Sequence, residues 1–159
     1  MQARTGRRRV QPVEGVQAHG RPVVLATMGV PFEPEAAVFA VDSAVESGQR
    51  LVVVNVTRLE PLSLSVRLGY DALEEFTPDV SESLRRAAET AASLGVDVER
   101  LRVRSPRPVT ALLEVVAERR PGLLVFGPDR RAMGSRTYAR AVAKIRDADP
   151  CLLWLAPEA

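Results

Sequence analysis

The 159-residue chain has little of what most enzymes use. Its one cysteine, Cys151, cannot form an internal disulfide, which fits a reducing compartment. Its one histidine, His19, lies near the amino terminus, so a Ser-His-Asp or Cys-His arrangement within the body is excluded. One cysteine and one such histidine cannot make an ordinary zinc site, and no metal is expected. Aromatic residues are only 4%, so the core has to be built from Val, Leu and Ala. No uninterrupted apolar run reaches the roughly 18 residues of a membrane span. Neither GxGxxG nor GxxxxGK[ST] occurs, so the common dinucleotide and P-loop fingerprints are missing. Adjacent carboxylates such as Glu74 and Glu75 point apart on a helix and read as solvated surface.

Lysine is nearly absent too. The basic residues are 21 arginines and Lys144. Residues 1–20 hold Arg4, Arg7, Arg8 and Arg9 against Glu14, a balance of +3; with the chain at +2, the other 139 residues sum to −1. The body is therefore no general nucleic-acid surface, and nucleic acid is not an expected partner. The run Arg7-Arg8-Arg9 is followed by Val10-Gln11-Pro12-Val13-Glu14, too polar for a secretion signal. Residues 1–20 read as a solvated, flexible basic tail, residues 21–157 as one domain, and the protein as cytoplasmic.

What is abundant is short apolar runs. Val23–Thr27, Leu51–Val56, Leu123–Phe126 and Cys151–Leu155 are near-continuous, as strands buried on both faces of a parallel sheet must be. Val98–Val103 is more charged and suits an edge. Helices are predicted between them. One starts near Pro34 and ends near Ser47 before Gly48. Another has Thr77 as N-cap and Pro78 at its first position, with an apolar face of Val80, Leu84, Ala87, Ala91 and Leu94 and a stop at Gly95. A third runs from about Val109 to Arg119, stopped by Pro121-Gly122, and the last from about Ser135 to Ala148. Strict β-α alternation implies an α/β fold: a three-layer open parallel five-stranded sheet with right-handed crossovers. The connection from Thr57 to Phe76 is long, with a short helix expected over 67–75.

Such sheets bind ligands beyond the carboxyl ends of strands, where strand order reverses. The relevant ends are Thr27-Met28-Gly29 after the first strand and Gly127 to Val142 after the fourth. With the Val-Asn-Val end of the second strand, the Phe-Gly end of the fourth and the closing Ala-Asp-Pro-Cys-Leu-Leu-Trp-Leu, residues 21–156 resemble the universal stress protein family. That resemblance implies a Rossmann-like sheet ordered 3-2-1-4-5 and dimers formed along the fifth strand, here Leu152, Leu153, Trp154 and Leu155. An alternative reading makes Trp154 simply core beneath a helix.

Many members of that family bind ATP or AMP through G-xx-G-9x-G-[ST]. Laid on this chain, the pattern keeps Gly127 but meets Arg130, Arg140 and Ala141, and the family's nucleotide-contacting aspartate falls at Met28. Glycine lets backbone N–H groups approach phosphate; arginine side chains there obstruct them. Losing two or three hydrogen bonds of roughly 1–3 kcal/mol each weakens binding by orders of magnitude. No cofactor is therefore expected. Arg130, Arg131, Arg136 and Arg140 nevertheless attract phosphate, and Gly134-Ser135 offers a helix start, with Ser135 as an N-cap the plainer reading. A nucleotide or anion held this way would meet Thr27, Met28, Val56, Gly127, Arg130, Gly134, Ser135, Arg136, Arg140, Ala141 and Val142. The favoured expectation is a non-enzymatic stress-response protein acting by dimerisation and contact with an unknown protein partner; the alternative is a binder of an adenine nucleotide or other phosphate ligand.

Overall fold

The computed structural model describes residues 20–59 and 78–157. The basic tail with His19, the expected short helix at 67–75, Glu74, Glu75 and the proposed cap Thr77 lie outside the described residues.

Among the described residues nine elements alternate: β1 (Val23–Thr27), α1 (Pro34–Ser47), β2 (Leu51–Arg58), α2 (Pro78–Ser93), β3 (Val98–Ser105), α3 (Pro108–Arg119), β4 (Leu123–Phe126), α4 (Ser135–Ala148) and β5 (Leu152–Leu155). The strands form one parallel sheet in the order β3-β2-β1-β4-β5. Burial explains why the central strands are apolar throughout. Alternate residues of β1 enter different cores: Val24 and Ala26 join a cluster with α3 and α4, while Val23 and Leu25 join one with α1 and α2. Burying a Val or Leu side chain contributes roughly 1.5–3 kcal/mol, so a polar residue on either face would be costly. Asn55 and Thr27 are the buried polar exceptions among the described residues, and both sit at the carboxyl end of the sheet.

Local signals set most boundaries. Pro34 opens α1, where its missing N–H costs nothing, and Gly48 ends it at φ 65 by donating to Val45 O at 3.2 Å. Gly95, at φ 82, ends the turn after α2. The third helix, α3, ends at Arg119 as expected, and Arg120 (φ 49) closes it in the left-handed region with its N–H donating to Val116 O. Three expectations need correction. Leu94 does not join the buried face of α2: the helix stops at Ser93, the chain turns, and Leu94 stands 55% exposed. Ser135 is the first residue of α4, with Gly134 as N-cap and no side-chain cap bond. Cys151 precedes β5 rather than opening it. Strands β2 and β3 also run two residues further than expected, because they pair with each other through Thr57–Arg104 and Arg58–Ser105.

Candidate functional site

The order of strands reverses between β1 and β4, whose following helices α1 and α4 lie on opposite faces of the sheet, and this is the place where such sheets bind ligands. Two loops build this end of the sheet. After β1, Thr27 is fully buried, and its hydroxyl donates to Val30 O at 2.7 Å, fixing the turn. Gly29 takes φ 70, and its N–H donates to Asn55 Oδ1 at 2.9 Å. The buried amide of β2 thus anchors the β1 loop. After β4, Gly127 N–H donates to Ala26 O and Gly127 O accepts Glu33 N–H, both at 2.9 Å. Asp129 N–H then bonds Pro31 O at 2.8 Å, while Asp129 Oδ1 accepts Arg131 N–H at 2.9 Å. The two loops are laced together before α4 begins.

Gly127 has a packing reason to be glycine. A Cβ there would stand 2.3 Å from Ala36 Cβ on α1, closer than real Cβ atoms come. Both residues are buried, so α1 seats directly on the end of β4. This is a requirement of the fold, independent of any phosphate.

The remaining residues singled out by sequence separate into two groups. Met28 is half-buried against the cluster holding Phe126, Met133 and Tyr138, and Val56, Ala141 and Val142 are buried in that same cluster. Their side chains serve the core. Arg130 lies half-buried with its guanidinium 4.4 Å from the Tyr138 ring centroid, in cation–π range, and Tyr138 stacks on Phe126 at 5.9 Å. Gly134, Ser135, Arg136 and Arg140 are exposed on the first turns of α4. The structure therefore brings Thr27, Met28, Gly127 and Arg130 to one end of the sheet and leaves Arg136 and Arg140 on the outer surface of the following helix.

Asn55 was legible only as an amide inside a Val-rich strand; its tie to Gly29 depends on a loop folding over it. Sequence reasoning also gave Ser83 no role, yet its hydroxyl accepts Phe32 N–H at 2.9 Å and joins α2 to the β1 loop. Burial pushes the Cys151 thiol up from its ordinary value, which disfavours the reactive thiolate.

At the far edge, Leu152 of β5 is 71% exposed while Leu153, Trp154 and Leu155 are half-buried. Leu153 and Leu155 pack toward α3 and α4. Trp154 faces the other way, stacked on Phe39 of α1 with centroids 4.6 Å apart and planes 13° from parallel. Trp154 thus has an intrachain partner, and its edge position leaves it partly open as well.

Comparison with known proteins agrees with the topology. The model of the universal stress protein family matches residues 20–143. Among solved structures, a universal stress protein in complex with cAMP is 20% identical, with TM-score 0.61, covering 87% of this chain and 98% of its own. The universal stress protein UspA from Lactobacillus plantarum is 16% identical, with TM-score 0.60 and coverage of 87% and 99%. A universal stress protein from Archaeoglobus fulgidus in complex with dAMP is 16% identical, with TM-score 0.58 and coverage of 85% and 96%. No curated protein matches the chain.

Proposed function

Since this chain belongs to the universal stress protein family, we propose that it is a cytoplasmic, non-enzymatic stress-response protein that works through dimerisation and protein contacts, without the family's usual ATP binding. The observation that carries this reading is Met28. At the position that resembles the family's nucleotide contact stands a thioether, half-buried against the core cluster, where it offers no ribose acceptor. The retained glycine, Gly127, is accounted for by Ala36. At the next glycine position Arg130 leans on Tyr138, adding bulk and charge to the notch. No helix among the described residues is long and apolar enough to cross a membrane.

Dimerisation would run along β5. An edge strand with exposed Leu152 beside Trp154 and Phe39 leaves backbone and apolar surface to be covered. Leu152→Lys changes an exposed residue, so the fold tolerates it, while the dimer weakens; light scattering reads the mass. A wild-type chain that stays monomeric at micromolar concentration removes the dimer from the proposal.

A second reading is favoured by relatives of the same fold that were solved with cAMP and with dAMP. In it, an adenine nucleotide or another phosphate ligand is gripped by Arg130, Arg136 and Arg140 rather than by backbone. Mass spectrometry of the purified protein after mild denaturation separates the two readings. Stoichiometric release of an adenine nucleotide, or submicromolar dialysis binding lost in Arg130→Ala and Arg140→Ala, replaces the first reading with the second.

A further inference from the structure

Between α1 and α2 runs a groove of about 600 Å³ that the proposed function does not use. Its apolar lining includes Phe32, Val41, Val38 and Leu94, the last two 59% and 55% exposed. Glu82 and Arg86 on its rim answer each other at 3.1 Å. That leaves exposed Asp42 on the α1 wall and Asp79 on the α2 wall as an acidic excess. The groove therefore fits a segment with small apolar side chains and adjoining positive charge.

The chain supplies one. Gly20 lies in a depression it shares with Ala44, Val45 and Leu94, and Leu94 also lines the groove. A chain passing back from Gly20 thus starts at the groove's end. The 16 residues of α2 span about 24 Å, and an extended chain covers up to about 3.3–3.6 Å per residue, so about seven residues traverse it. That stretch includes Val13 and Val16, and Arg7, Arg8 and Arg9 follow with slack to reach Asp42 and Asp79.

We propose that residues 7–19 of the same chain occupy the α1–α2 groove, with their valines on its apolar floor and the arginine triplet against Asp42 and Asp79. The basic segment then serves the molecule's own surface instead of an outside anion. The charge contribution is that of exposed pairs and is screened by salt; the valines hold the register.

The test uses the full chain with Cys151→Ser and a spin label at Val13→Cys, read through backbone amide signals. Docking predicts loss of the Val38, Val41 and Thr90 signals, and their return at about 1 M salt, where screening acts beyond about 3 Å. Charge reversal of Arg7, Arg8 and Arg9 to Glu restores the signals too, with the dispersion of α1 and α2 amides reporting an intact fold. A label at Gln17→Cys, a polar position, guards against the Val13 label itself blocking the groove. Sharp groove signals with both labels overturn the proposal. So does broadening that appears only when labelled protein is mixed with isotope-enriched unlabelled protein, since the occupant is then a second copy.

Discussion

Replacing Gly127 by alanine tests whether this glycine serves the fold or a ligand. The added methyl would sit 2.3 Å from Ala36 Cβ, well over 1 Å inside ordinary carbon–carbon contact of roughly 3.5–4 Å. Neither partner yields easily. Ala36 is fully buried on α1, and the Gly127 backbone is held by bonds to Ala26 and Glu33. Overpacking of this kind costs about 1–3 kcal/mol, and a strained or broken backbone bond adds about 1 kcal/mol. Gly127→Ala is therefore expected to lose about 2–4 kcal/mol, read as a lower denaturant midpoint at unchanged m-value. Ala36→Gly alone costs about 1 kcal/mol in helix propensity but opens the space the methyl needs. The double variant should accordingly be more stable than the sum of the singles by about 1–3 kcal/mol. A Gly127→Ala protein within about 0.5 kcal/mol of wild type, or a strictly additive double variant, refutes the packing account.

Asn55→Ala removes the acceptor of the exposed Gly29 N–H, so stability should fall by about 0.5–1.5 kcal/mol and hydrogen exchange at Gly29 should accelerate; unchanged exchange contradicts the anchor. Glu99 is held below the ordinary carboxylate range by its hydrogen bond from Arg119 (2.6 Å), with burial opposing and Arg50 assisting. A depressed acid stabilises the fold above its unfolded pKa, about 4.3, and that contribution is lost as pH falls through the folded value. Glu99→Gln should cost less than about 1 kcal/mol near neutrality and nothing in acid; a cost independent of pH excludes the ion pair as its source. Arg120→Gly should stabilise by roughly 0.5–1 kcal/mol, since glycine takes φ 49 without a Cβ penalty, and calorimetry showing a lower Tm contradicts that.

The sheet was readable because a parallel strand between two helical layers leaves an unambiguous apolar run, as in Val23–Thr27 and Leu51–Val56. Helix ends were readable where the chain spent a special residue, Pro34 or Gly48. The ends of α3 and α4 also fell where expected, at Arg119 and Ala148, but the residues that close them, Arg120 and Asp149, are ordinary ones that accept a positive φ. Arg120 takes the left-handed turn, while a Cβ on Gly122 would come 3.2 Å from Arg21 Cβ, a constraint set by a distant residue. At the candidate site, the missing glycines were visible as letters. That Gly127 answers to Ala36, Gly29 to Asn55 and Arg130 to Tyr138 was not, because each pairing joins elements that meet only after the sheet has formed.

The stack of Trp154 on Phe39 gives the molecule an optical sensor. As the sole indole in the chain, Trp154 is the only source of tryptophan emission, and it sits where a strand edge and a helix share one surface. Covering that edge dries the ring and shifts its emission to shorter wavelength, while peeling α1 away wets it and shifts the light the other way. Association and local opening can thus be told apart by colour in an unlabelled sample.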